Sequence, residues 1–98
     1  MVIITTDHVH YLCERDLFGK PGVPHFEPLS HIPLMIQSPG IAPGRYPHLS
    51  TTVDIHATLC DLFGLTPSQK GHGTSLLPAL ANPSQKTRDW ALAGVFGR

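Results

Sequence analysis

Val2-Ile3-Ile4-Thr5-Thr6-Asp7-His8 is the stretch on which the reading of this chain turns. Residues 2–6 are β-branched throughout, which restricts χ1 and favours extended backbone. A continuous run of this kind, without polar alternation, predicts a strand buried on both faces, as in a parallel sheet. Asp7 and His8 then fall at its carboxyl end, where open α/β sheets place their ligand sites. Neighbours on a regular strand point to opposite faces, so both can meet one ion only where the strand has ended and the backbone turns. A carboxylate and an imidazole are both donors for Ca²⁺, Mn²⁺ or Zn²⁺. Taken by spacing alone, however, the pair reads first as a strand-end cap.

Residues 9–30 read as irregular, punctuated by Gly19, Pro21, Gly22 and Pro24. Long loops in compact domains are often functional. Lys20 sits here in a Gly-Lys-Pro turn, where it could set a compact positive charge on an anionic substrate. Read bare, that turn is a solvated loop. Residues 31–37 read as a second strand with Pro33 at its entry. Residues 53–63 carry helical periodicity through Val53, Ala57, Cys60 and Phe63. Thr51 and Asp54 fit a capping box at the start of this helix, and Gly64 fits its C′ position. Asp54 is therefore expected to cap and not to ligate. Ser75 to Leu80 reads as a short helix limited by Pro78, and residues 90–96 as a closing strand, with Trp90 and Phe96 in the core. The order strand, loop, strand, helix, short helix, strand predicts part of an α/β sandwich with a mainly parallel sheet.

The 98 residues suffice for one small unit with a modest core. Seven Lys/Arg balance seven Asp/Glu, so no charge footprint points to nucleic acid or an anionic membrane. No apolar run approaches the roughly 18 residues of a membrane span. Only 14% of residues are charged and 41% are hydrophobic. That balance predicts apolar surface meant to lie against further structure. Cys13 and Cys60 lack C-x-x-C spacing and read as free thiols in a reducing compartment. No basic, apolar leader follows Met1, which gives an expected cytoplasmic location.

Beyond these readings the chain resembles a family. Thr6-Asp7-His8-Val9-His10-Tyr11-Leu12-Cys13-Glu14-Arg15-Asp16-Leu17-Phe18-Gly19-Lys20 is similar to the block [ST]-D-H-G-x-x-L-G-E-x-G-L-x-G-K of the sulfatases, in the alkaline-phosphatase-like superfamily. His31-Ile32-Pro33-Leu34-Met35-Ile36, then Ser38-Pro39-Gly40, resembles the strand after it. Val53-Asp54-Ile55 through Asp61-Leu62-Phe63-Gly64 resembles the family's V-D-I-x-P-T-L-x-D-L-x-G helix. Gly73-Thr74-Ser75-Leu76-Leu77-Pro78 and Arg88-Asp89 complete the ordered set. The resemblance covers nearly the whole chain and implies the C-terminal portion of such a catalytic domain.

It also implies roles. Asp7 and His8 match two ligands of one divalent metal, Ca²⁺ or Mn²⁺, and Lys20 matches the lysine on the ester oxygens. Two further Asp ligands and a formylglycine nucleophile, made within Cys/Ser-x-Pro-x-Arg, are implied outside these residues, since no cysteine or serine here fits that motif. The implied substrate is a small sulfate or phosphonate ester. His8, where many relatives carry Asn, leans toward phosphonate monoesters and choline sulfate. The implied partner is the remaining N-terminal segment or a second copy. His10 reads as a neighbour of the site, and Glu14 as a residue that holds the loop. Val9, Cys13 and Asp16 stand where the family block has glycine and Ala57 where it has proline; a positive φ required at Val9 would be strained by its β-branch, so strain is expected there. The alternative is a catalytically dead remnant that depends on a partner chain. A bare metal-binding module of Asp7, His8 and His10 ranks behind it, because so few ligands bind weakly.

Overall fold

The structure is a computed structural model and describes residues 1–19 and 26–94. Lys20 lies outside the described residues, as does Phe96. The chain divides into two units, Met1–Pro39 with Leu92–Arg98, and Gly40–Ala91.

In the first unit, strand β1 (Val2–Thr5) pairs antiparallel with β4 (Leu34–Gln37), setting Ile3 opposite Ile36 and Ile4 opposite Met35. The Thr5 hydroxyl donates to the Pro33 carbonyl at 2.9 Å, fastening the end of the pair. A short hairpin, β2 (Tyr11–Leu12) and β3 (Phe18–Gly19), is also antiparallel. Helix α1 (Glu27–Ser30) is a single turn. The buried centre is Tyr11, fully inaccessible, and Leu29. The Phe26 amide donates to the Tyr11 hydroxyl at 2.9 Å, and the two rings meet edge to face.

Several expectations change here. Among the described residues both pairings are antiparallel, and the mainly parallel sheet is not seen. A run of β-branched residues encodes a demand for burial and says nothing about strand direction. That demand is not met on one face, because Val2, Ile4 and Met35 remain 52%, 55% and 57% exposed. A two-stranded ribbon has no layer of its own to cover a second apolar face. The strand expected over 31–37 begins only at Leu34, because the His31 amide closes α1 on the Glu27 carbonyl at 2.8 Å. The loop read over residues 9–30 contains the hairpin and α1, whose elements are too short to show periodicity.

The second unit is built on α2 (Thr52–Leu62) and α3 (Leu77–Ala81). At the start of α2 the Thr51 amide donates to the Asp54 carboxylate at 2.9 Å. At its end Gly64 takes φ +64°, the Leu65 amide donates to the Cys60 carbonyl at 2.8 Å and the Gly64 amide to the Asp61 carbonyl. This is a Schellman motif, and the left-handed residue is the glycine that tolerates it. Pro78 lies in the first turn of α3 and so starts the helix, a position where its missing N–H costs nothing.

Asp54 is fully buried and does more than cap. Its carboxylate also accepts from the Thr74 amide at 2.8 Å and from Arg88 Nε at 3.0 Å, with Arg88 Nη2 completing a two-pronged ion pair. Thr58, also fully buried, donates to the Asp54 carbonyl at 2.6 Å and accepts from the Leu76 amide at 2.9 Å. Gly73 presses against α2, so that a Cβ there would collide with the Val53 carbonyl oxygen. The closing strand is not formed over residues 90–94, and Trp90 is 69% exposed instead of buried. The apolar run from Trp90 has no strand neighbour to pair with among the described residues.

Candidate metal-binding turn at the end of β1

β1 ends at Thr5, and the turn that follows brings Asp7 and His8 to the same side. The His8 amide donates to Asp7 Oδ1 at 2.9 Å, tying one carboxylate oxygen back to the chain. The other, Oδ2, faces His8 Nε2 at 3.5 Å. His8 Nδ1 lies 3.2 Å from the Val9 carbonyl oxygen. A carbonyl only accepts, so Nδ1 carries the hydrogen and the neutral ring leaves the Nε2 lone pair bare. A backbone acceptor on the far nitrogen is the usual way a metal-binding imidazole is oriented.

Asp7 is exposed and His8 half-buried. The hydrogen bond from the His8 amide holds the Asp7 carboxyl below the usual carboxylate range, against an opposing effect of burial. Asp7 thus stays ionised under ordinary conditions. A carboxylate oxygen and an imidazole nitrogen 3.5 Å apart suit two neighbouring donors of one ion with bonds of about 2.3–2.6 Å. The donors present fit part of a metal site. Among the described residues no three such side chains converge on one point.

His10 stands beside the pair, its ring centroid 5.3 Å from that of His8. Glu14 holds the loop, as its residue type and place predict, by accepting from the Leu12 amide at 2.5 Å. The hairpin turn contains three left-handed residues that are not glycine: Cys13 (φ 77°), Arg15 (φ 56°) and Asp16 (φ 58°). Two of them occupy positions where the family block has glycine. Val9 is not among them, so the strain expected there is absent. The Arg15 guanidinium stacks 4.1 Å from the Phe26 ring centroid. Both cysteines are free thiols.

The sequence singled out Asp7 and His8, and the turn unites them; Lys20 falls outside the described residues. Sequence reasoning passed over the Thr6 hydroxyl and the Val9 carbonyl, because the first bonds to a backbone carbonyl and the second is one, and such contacts leave no mark in residue spacing.

No family model matches the chain, and no solved structure does. Curated proteins do match. Arylsulfatase K of Xenopus laevis is 36% identical over 107 residues, covering 98% of this chain and 19% of the relative. Choline-sulfatase of Rhizobium meliloti is 34% identical over 90 residues, covering 89% of the chain and 17% of that protein. The chain belongs to the sulfatase family. Phosphopentomutase of Erwinia tasmaniensis is also similar, at 38% over 71 residues, 72% of the chain and 16% of the relative. The chain spans less than one fifth of the length of these relatives, and the sulfatase match falls in their C-terminal part.

Proposed function

We propose that this sulfatase-family chain supplies one wall of a metal-dependent hydrolase centre for small sulfate or related phosphonate esters. Asp7 and His8 act as two ligands of one divalent ion, Ca²⁺ or Mn²⁺. Lys20 places a positive charge on the ester oxygens as negative charge develops there. The observation that carries this reading is the convergence of Asp7 Oδ2 and His8 Nε2, with the imidazole hydrogen committed to the Val9 carbonyl.

A bound ion in such a site polarises an ester oxygen. The chain's own residues do the rest of this wall's work. Asp7 brings a permanent negative charge, His8 a bare nitrogen, and Glu14 fixes the loop that leads toward Lys20. The remaining ligands and the formylglycine nucleophile belong to other parts of a complete sulfatase-type domain, which would also supply the layer that covers the exposed apolar face of the β1–β4 ribbon.

Mn²⁺ tests the site directly. Paramagnetic broadening in the NMR spectrum of the 98-residue chain is expected at Asp7 and His8, and is expected to vanish in Asp7→Asn and His8→Ala. Broadening that ignores both substitutions would sink the ligand assignment. Nitrophenyl sulfate is expected to remain uncleaved by the chain alone. Metal-dependent turnover lost in Lys20→Ala would show that these residues hold a whole active site and not one wall.

A second reading, a catalytically dead remnant, draws on Cys13 and Asp16, which put side chains at left-handed positions where the family block has glycine. The DNA upstream of Met1 separates the two. An in-frame Cys/Ser-x-Pro-x-Arg motif favours the working enzyme, and an in-frame stop without that motif favours the remnant.

A further inference from the structure

Two adjacent side chains in extended backbone would point apart, so something must hold the turn that brings Asp7 and His8 together. Thr6 is the residue placed to do so. Its hydroxyl, half-buried at the end of the ribbon, lies 3.0 Å from the His8 carbonyl oxygen and 3.3 Å from Asp7 Oδ1. The hydroxyl has one hydrogen, and the shorter path gives it to the His8 carbonyl. That bond closes a local turn across Asp7. With the turn closed, the His8 amide reaches Asp7 Oδ1 at 2.9 Å. Oδ1 is then occupied by the chain itself, and Oδ2 is the oxygen left facing Nε2. Asp7 is largely exposed, and no side chain from elsewhere in the described residues hydrogen-bonds its carboxylate.

We propose that Thr6 is a positioning residue for the metal-binding pair, its hydroxyl clamping the His8 carbonyl so that Asp7 Oδ2 and His8 Nε2 are presented together. The inference rests on the metal reading above and adds the residue that sets the geometry of the pair. Thr6 touches neither substrate nor ion. Its contribution is to remove, before binding, the backbone freedom that two neighbouring ligands would otherwise lose on capturing an ion. Thr5 makes the contrast within the same strand end. Its hydroxyl donates to the Pro33 carbonyl at 2.9 Å and serves the β1–β4 pairing without reaching either ligand's side chain.

The test titrates Mn²⁺ into four forms of the 98-residue chain: unaltered, Thr6→Val, Thr6→Ser and Thr5→Val. Broadening at His8 reports the affinity even when binding is weak. Thr6→Val keeps the side-chain shape and deletes the hydroxyl, and is expected to weaken binding about fivefold, the worth of one hydrogen bond. Thr6→Ser restores the donor and is expected to bind within twofold of the unaltered chain. Thr5→Val is expected to leave the affinity unchanged, since a loss of general order at the strand end would appear in both valine variants. Equal affinity in Thr6→Val and Thr6→Ser overturns the positioning role while leaving Asp7 and His8 as ligands. Equal weakening in Thr5→Val and Thr6→Val overturns it in favour of general loosening. Absence of broadening at His8 in all four forms removes the metal reading and this inference with it.

Discussion

Cys13→Gly should stabilise the first unit, and the expected size follows from backbone geometry. Cys13 sits at φ 77° and ψ 9°, in the left-handed region, where Cβ crowds the following carbonyl oxygen. That conformation costs a non-glycine residue about 1–2 kcal/mol. Glycine removes the crowding but raises the entropy of the unfolded chain, which offsets about 0.5–1 kcal/mol. Mid-value against mid-value, the net gain is about 0.75 kcal/mol. Little packing is lost, because the Cys13 side chain is exposed and its thiol is free. The hairpin bond from the Cys13 amide to the Leu17 carbonyl, 2.9 Å, is unaffected by the change. In a domain of this size such a gain raises the midpoint by about 2–8 °C. The assay is thermal unfolding followed by the ring resonances of Tyr11, which is fully buried in that unit. Cys13→Ala is the control, since it keeps Cβ and therefore the strain. If glycine and alanine give the same midpoint, or glycine lowers it, the account of strain at this turn is wrong. Asp16→Gly should gain less, because a short polar side chain tolerates φ 58° better.

Arg88→Met should cost about 3–5 kcal/mol in urea unfolding, because it leaves the buried Asp54 carboxylate without its counter-charge; a loss under about 1 kcal/mol would mean that water reaches Asp54. Gly73→Ala should cost at least about 1–3 kcal/mol, since the new Cβ would meet the Val53 backbone and α2 or its neighbour must shift; an unchanged midpoint would refute the close approach. Lys86→Met should raise the Asp89 pKa toward the ordinary carboxylate range, because the Lys86 ammonium at 2.7 Å lowers it by hydrogen bonding and then by charge. A lowered pKa contributes stability above the unfolded value and loses it as pH falls through the folded value. The Asp89 titration curve, followed by NMR, checks this, and a curve that ignores Lys86 would refute the pairing.

Much of the local structure was written in residue type. The helix over residues 52–62 follows from its apolar spacing, from Thr51 and Asp54 at one end and Gly64 at the other, because caps and left-handed turns depend on atoms within a few residues. The strand at Val2–Thr5 and the turn holding Asp7 and His8 are likewise local consequences of β-branching and of a polar pair at its end. The short hairpin and α1 escaped notice because a two-residue strand or a single helical turn has no period to detect.

What the sequence by itself determined, then, is where the helix starts and stops, where the first strand ends, and which two side chains meet just beyond it. Tertiary structure alone decided the rest. It fixed the direction of pairing between β1 and β4, because hydrophobic runs carry no arrow. It turned Asp54 from a helix cap into the buried anchor of Arg88, because the partner lies 34 residues away and only folding brings the two charges out of water together. It also left Val2, Ile4 and Met35 half uncovered, because burial depends on a second layer that a strand's own residues can demand but cannot supply.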